Sequence, residues 1–219
     1  MAEARQLLIW AQHLLGVGHL MRAAQIASAF AAAGWAVDLV SGGPPVPRLP
    51  LGGATLHQLP PLRAADAAFS ALATEAGQTP EEADWQARSA ALAALIADRP
   101  PDAILIEHYP FGRRPFRHEI AEMLEFRATL TNKPYASVSS VRDVLVARKS
   151  ERAAEAADVI EARFDRVLVH GDPALIPFGA SFPCADRIAS KLSYTGYIGG
   201  APVARQRPGA DGWDEIVVS

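Results

Sequence analysis

The sequence predicts an α/β fold, a parallel sheet with helices on both faces. Three observations carry this reading. Leu7-Leu8-Ile9-Trp10 is a continuous apolar run rather than an alternating one, as a strand buried on both faces requires. Segments of strand character alternate along the chain with segments of helical period. A glycine loop, Gly16-Val17-Gly18, separates the first strand from the first helix, at the sheet edge where open α/β proteins bind ligands.

Leu20, Ala23, Ala27, Phe30 and Ala31 recur at helical spacing, and Gly34 ends that helix. Residues 36–40 form a second strand, closed by Ser41-Gly42-Gly43 and by the prolines of 44–50, which forbid regular structure. A right-handed βαβ unit follows. A short third strand is expected over 55–59. A helix over 80–98 places Trp85, Leu92, Leu95 and Ile96 on one face, and Arg99-Pro100-Pro101 leads into a strand over 103–106. A helix over 116–131, a strand over 135–141, a helix over 150–162 and a strand over 166–169 complete the alternation. There is no internal repeat. The segment 205–212, polar and rich in Gly and Pro, reads as a linker, and Glu215-Ile216-Val217-Val218 as the opening strand of another domain. The expected division is therefore an N-terminal domain over 1–200, then a linker and the first strand of a truncated C-terminal domain over 201–219.

Composition excludes several classes. Lys and Arg number 21 against 24 Asp and Glu, a formal charge of −3, which is not the balance of a nucleic-acid binder. One cysteine, Cys184, cannot form an internal disulfide or a thiolate zinc cluster and fits a reducing compartment. The apolar run over 6–11 is too short for a signal peptide or a membrane span, so a cytoplasmic location without a transmembrane segment is expected. The absence of His-Glu-x-x-His spacing predicts no protein-held metal. Neither a Gly-x-Ser-x-Gly elbow nor a Walker loop is present. Met21 stands where a dinucleotide fingerprint needs a glycine, and Ser41 where it needs an acid, so NAD is disfavoured and no cofactor is expected.

His19 sits where the glycine loop enters the helix. The positive end of the helix dipole favours its neutral form there, which suits either a general base or a helix-capping side chain. Glu107 and His108 follow the strand over 103–106 and so reach the same edge, either orienting an imidazole or binding a hydroxyl, or as a solvated pair. Arg113, Arg114 and Arg117 face an anionic substrate or form a solvated basic face. Arg142, after its strand, either grips a carboxylate or phosphate or pairs with Asp143. His170, after the next strand, faces the cleft or a partner domain.

Gly16-Val17-Gly18-His19-Leu20-Met21-Arg22 resembles the Gly-x-Gly-His-x-x-Arg element that opens the N-terminal domain of GT-B glycosyltransferases. The likeness is strongest to bacterial predicted glycosyltransferases related to the peptidoglycan N-acetylglucosaminyltransferase. It continues through Glu107-His108-Tyr109-Pro110-Phe111-Gly112-Arg113-Arg114, Ser140-Val141-Arg142-Asp143, Val169-His170-Gly171-Asp172-Pro173 and Tyr194-Thr195-Gly196-Tyr197. The resemblance implies two Rossmann-like domains facing a cleft, of which this chain is the acceptor half. It makes His19 the catalytic base, and Gly16, Gly18, Arg22, Glu107, His108, Arg142, Asp143 and His170 substrate-binding residues. The implied partners are a nucleotide-sugar donor, held mainly by the C-terminal domain, and an acceptor that the motifs do not identify. The glycine loop also resembles the nucleotide-sugar hydrolase of pseudaminic acid synthesis, in which the equivalent histidine activates water. A non-catalytic Rossmann-like ligand-binding module is the third reading. All three place His19, Glu107, His108, Arg142 and His170 along one edge of the sheet.

Overall fold

The first apolar run lies at the centre of the sheet. In the computed structural model, which describes residues 4–69, 71–146 and 150–199, strand β1 (Gln6–Ala11) sends alternate side chains into two cores. Leu7, Ile9 and Ala11 face one side, and Leu8 and Trp10 the other. Helix α1 (Gly18–Ala32) covers the first side and leads to β2 (Ala36–Ser41), parallel to β1. The inner face of α1 carries Ala23, Ala24 and Ala27, all fully buried, so the helix seats close against the strands.

Beyond β2 come the edge strand β3 (Thr55–Gln58) and a small antiparallel ribbon of β4 (Leu62–Ala64) and β5 (Leu72–Thr74). Helix α2 (Glu82–Asp98) opens with a reciprocal capping box between Glu81 and Asp84 and leads to β6 (Ala103–Glu107), on the other flank of β1. A single 3-10 turn, Arg114–Phe116, runs into α3 (Arg117–Leu130), which precedes β7 (Ala136–Arg142). Helix α4 (Ser150–Arg163) precedes β8 (Arg166–His170), and the chain adds β9 (Leu192–Tyr194) after two more 3-10 segments. The order is β3-β2-β1-β6-β7-β8-β9, with every neighbouring pair parallel. Leu8, Trp10, Ile104 and Ile106 pack with apolar residues of α2, α3 and α4 on the face opposite α1.

A buried ion pair joins α2 to α3. Arg88 and Glu119 meet through Nε to Oε2 at 2.6 Å and Nη2 to Oε1 at 3.0 Å. Trp10 Nε1 donates to the same carboxylate at 2.9 Å. The other Arg88 donors reach Gly42 O at 3.0 Å, Pro60 O at 2.6 Å and Gln12 Oε1 at 3.0 Å, tying together the segments that follow β1, β2 and β3.

The fold class is the expected one, with differences in detail. Strands β4, β5 and β9, three residues each, were not expected, because three residues carry too little period to mark a strand. Strands β2, β6, β7 and β8 each run one residue past their expected ends, so Glu107, Arg142 and His170 terminate strands instead of following them. The expected linker over 205–212 and strand over 215–218 lie outside the described residues. Among the described residues, no helix is long and apolar enough to cross a membrane.

Candidate active site

The chain leaves β1 outward through β2 and β3 and then returns to place β6 on β1's opposite flank. The strand order therefore reverses between β1 and β6, and a crevice opens at the carboxyl ends of that pair. His19 enters this crevice from the start of α1, and Glu107 from the last position of β6. Because Leu105 lies in the α1-side core and side chains alternate along a strand, Glu107 also faces α1. Ser140, its register partner on β7, faces the same way.

The side chains meet there. His19 Nδ1 lies 2.8 Å from Glu107 Oε1. Arg22, one turn along α1, places Nη2 against the same oxygen and Nε 3.4 Å from Oε2. Ser140 Oγ donates to Oε2 at 2.6 Å. Burial alone would raise the Glu107 pKa, but the His19 hydrogen bond, the Arg22 charge and the Ser140 hydroxyl outweigh it and hold the carboxyl at about 2. An ionised carboxylate only accepts, so His19 carries its proton on Nδ1 and leaves the Nε2 lone pair available. Arg22 Nη2 lies 3.2 Å from His19 Nδ1, a contact of two N–H groups that opposes imidazolium formation at rest. Burial pushes the His19 pKa below its ordinary value, with the charges of Arg113 and Arg22 in the same direction and Glu107 opposing. The imidazole is neutral at pH 7, as a general base must be.

His108 stacks on His19 at a centroid distance of 4.6 Å. Its backbone is left-handed, φ 67°, and that of Arg113 is too, at 62°, so two non-glycine residues in strained conformations bracket the loop after β6. A Cβ on Gly112 would lie 2.3 Å from the His108 ring, and only glycine lets the loop close on the imidazole. Burial, then the charges of His19 and Arg113, hold the His108 pKa at about 2. His108 also borders a cavity of about 700 Å³ lined by Leu14, Phe69, Leu72, Trp85 and Arg113 among others.

Each residue expected at the site can now be placed. His19, Arg22, Glu107 and His108 converge. Glu107 is completely buried, so it orients the imidazole and is neither a solvated charge nor an open contact for a substrate hydroxyl. Helix α1 has no side-chain cap, which removes the capping reading of His19. Gly16 and Gly18 do not take positive φ, and a Cβ on either would meet nothing within 4 Å. His170, expected to face the cleft or a partner domain, is instead buried and bonded through both nitrogens, Nε2 to Ser140 Oγ at 2.8 Å and Nδ1 to Thr195 Oγ1 at 2.7 Å. Arg142 is exposed and makes no ion pair with Asp143. Asp143 shapes the loop, accepting from Val144 N at 2.9 Å and packing so tightly on Gly171 that a Cβ there would lie 2.4 Å away. Arg114 pairs with Glu155 at 3.0 Å on the surface. Ser140 and Thr195 were not expected as site residues: both stand inside segments that carry the resemblance, Ser140-Val141-Arg142-Asp143 and Tyr194-Thr195-Gly196-Tyr197, but neither has a charge to single it out there. Among the described residues, no cluster of His, Cys, Asp and Glu is arranged to hold a metal ion.

No protein-family model and no curated protein matches the sequence. Solved structures do match. UGT2 of Phytolacca americana, complexed with UDP-2fluoro-glucose and pterostilbene, aligns over 92% of this chain and 56% of its own, with a TM-score of 0.52 at 12% identity. The Streptomyces sp. SF2575 glycosyltransferase SsfS6 aligns over 94% and 57%, with a TM-score of 0.51 at 14% identity. The calicheamicin glycosyltransferase CalG4 aligns over 90% and 53%, with a TM-score of 0.50 at 15% identity. The chain thus spans little more than half the length of the solved proteins it matches. In fold, this chain is a Rossmann-like GT-B half-domain, of the N-terminal kind that its ordered motifs resemble.

Proposed function

We propose that the chain is the acceptor half of a glycosyltransferase that moves a sugar from a nucleotide-sugar donor to an acceptor hydroxyl. The observation that carries this reading is the His19–Glu107 pair, a neutral imidazole held through Nδ1 by a buried carboxylate with Nε2 left to accept a proton. His19 Nε2 takes the acceptor's hydroxyl proton as that oxygen attacks the anomeric carbon from the side opposite the leaving group. The new C–O bond forms as the bond to the nucleotide's phosphate breaks, and the nucleoside diphosphate departs with the electron pair. Glu107 stabilises the imidazolium that results. The acceptor occupies the cavity beside His108 and Trp85, against its apolar lining. A nucleotide-sugar donor agrees with the UDP-sugar bound to UGT2, and a second domain would supply most of its contacts.

His19→Ala in the complete protein tests the reading. A fold-neutral loss of turnover of about a hundredfold to ten-thousandfold is expected, the range for removal of a general base. In the parent protein the rate should rise with pH through the lowered His19 pKa and level off by neutrality. Unchanged turnover in the alanine variant would remove His19 from the chemistry. Product analysis with and without acceptors distinguishes transfer from hydrolysis: free sugar released equally in both would make water the nucleophile.

A further inference from the structure

We infer that Ser140 and His170 are positioning residues for the His19–Glu107 pair, forming with Thr195 a hydrogen-bonded line of fixed direction that locks the carboxylate behind the base. The inference rests on the proposed role of His19 and reaches residues that never touch substrate.

The direction follows from counting protons. Glu107 is ionised and donates nothing, so the Ser140 hydroxyl proton points at Oε2, over 2.6 Å. Having used its proton, Ser140 Oγ can only accept from His170 Nε2 at 2.8 Å, which must therefore carry a hydrogen. Burial, then the Arg22 charge, hold the His170 pKa at about 4, so that ring is neutral and has one N–H. Its Nδ1 is then an acceptor and takes the Thr195 hydroxyl proton across 2.7 Å, a shorter contact than that hydroxyl makes with Gly196 O at 3.0 Å. Every donor in the line points toward Glu107, and no tautomer is left free. His19 and Arg22 approach the same carboxylate from the other side.

The geometry explains why such a line is useful. A glutamate has three rotatable bonds, and without Ser140 its Oε2 would keep only the long 3.4 Å contact from Arg22 Nε, so the carboxylate could turn toward Arg22 and away from His19. With Oε2 held by Ser140, Oε1 stays within reach of His19 Nδ1 as well as Arg22 Nη2. Ser140, buried within β7, is held in turn by a histidine at the last position of β8, so the line crosses three adjacent strands. Thr195 sits beyond β9 and is anchored by its backbone N–H to Val169 O at 3.0 Å.

Two readouts test this. The first is the histidine tautomer spectrum of the protein, by nitrogen-15 NMR at neutral pH. His19 should appear in the Nδ1–H form and His170 in the Nε2–H form. In Ser140→Ala, His19 should lose its single tautomer. The second is turnover: Ser140→Ala and His170→Ala should lower kcat by about tenfold to a hundredfold, the range seen when hydrogen-bond partners one layer behind the reacting groups are removed from metal sites, with KM unchanged. His170→Gln, whose amide restores a donor toward Ser140, should recover most of the loss. Ser140→Thr keeps the hydroxyl and serves if the alanine variant does not fold, and it should retain the parent tautomers. A parent-like His19 tautomer and kcat in Ser140→Ala, or a failure of glutamine to outperform alanine at 170, would overturn the proposal. The spectra separate its fate from that of the transferase reading: altered tautomers in a protein with no sugar-transfer activity would leave the line standing and the proposed reaction refuted.

Discussion

Glu107→Gln should yield a folded protein that has lost turnover by roughly a thousandfold or more, approaching the loss when the orienting carboxylate of a catalytic triad is made neutral. The amide matches the carboxylate in shape, and its oxygen can still accept from His19 Nδ1 where Oε1 did, 2.8 Å away. The charge is what disappears. In the proposed reaction the imidazolium formed by proton transfer would lie against an anion in the parent site. In the variant it lies against an uncompensated guanidinium, with Arg22 Nη2 3.2 Å from Nδ1. Arg22 itself is part-exposed and can be hydrated, so folding survives. Removing the anion lowers the His19 pKa further, and the acid limb of the rate profile should move to lower pH while its plateau collapses. A thermal melt alongside kcat/KM against pH is the measurement. A plateau within tenfold of the parent would show that Glu107 fixes the ring's orientation without stabilising its charge.

The second large effect is on stability. Arg88→Ala should cost about 3–5 kcal/mol, the range for breaking a buried ion pair on one side only. Glu119 would keep the Trp10 indole as a donor but lose both guanidinium bonds, and Gly42 O, Pro60 O and Gln12 Oε1 would lose a donor each. In a domain of this size each kcal/mol moves Tm by about 2–4 °C, so a drop of roughly 6–20 °C is expected by calorimetry. Arg88→Met combined with Glu119→Gln should recover a good part of that loss, because it removes the orphaned charge and leaves a neutral group for Trp10. A single-variant loss below about 1 kcal/mol would mean that water enters and solvates Glu119. Turnover should fall too, since Arg88 binds the segments after β1, β2 and β3 that frame the crevice.

Much of this could be read in the sequence because parallel strands make direction legible. The continuous run at 7–10, the alanine period of α1 and the polar residues closing apolar strands at Glu107 and His170 all mark one edge of the sheet before any coordinate is known. What stayed hidden is which side chains face one another across strands. Glu107 and Ser140 are register partners, and 33 residues of chain separate them. A serine in a strand has no periodic signature, and although Ser140 opens a segment that carries the resemblance, nothing in that segment pairs it with Glu107. Arg142, two positions on, has an obvious charge, and among the described residues it is exposed and forms no ion pair with Asp143. The left-handed backbone at His108 was equally illegible, since histidine is not a residue that marks a positive φ and the close packing of Gly112 on its ring joins positions four apart.

The alanines of α1 are a ruler. Ala23, Ala24 and Ala27 set how far the helix stands off the strands, and the helix is rigid along its length, so that stand-off is carried to its first turn, where His19 waits for a glutamate rooted in the sheet. Ala27 lies eight residues from His19, about 12 Å along the axis at 1.5 Å per residue, with no part in the chemistry. A larger side chain there would be expected to push the helix off the sheet and lengthen the 2.8 Å contact between imidazole and carboxylate. Helix-to-sheet spacing is thus a distance set at folding, and a redesign that enlarged this interface for stability would be expected to lengthen the His19–Glu107 contact without altering a single residue of the crevice.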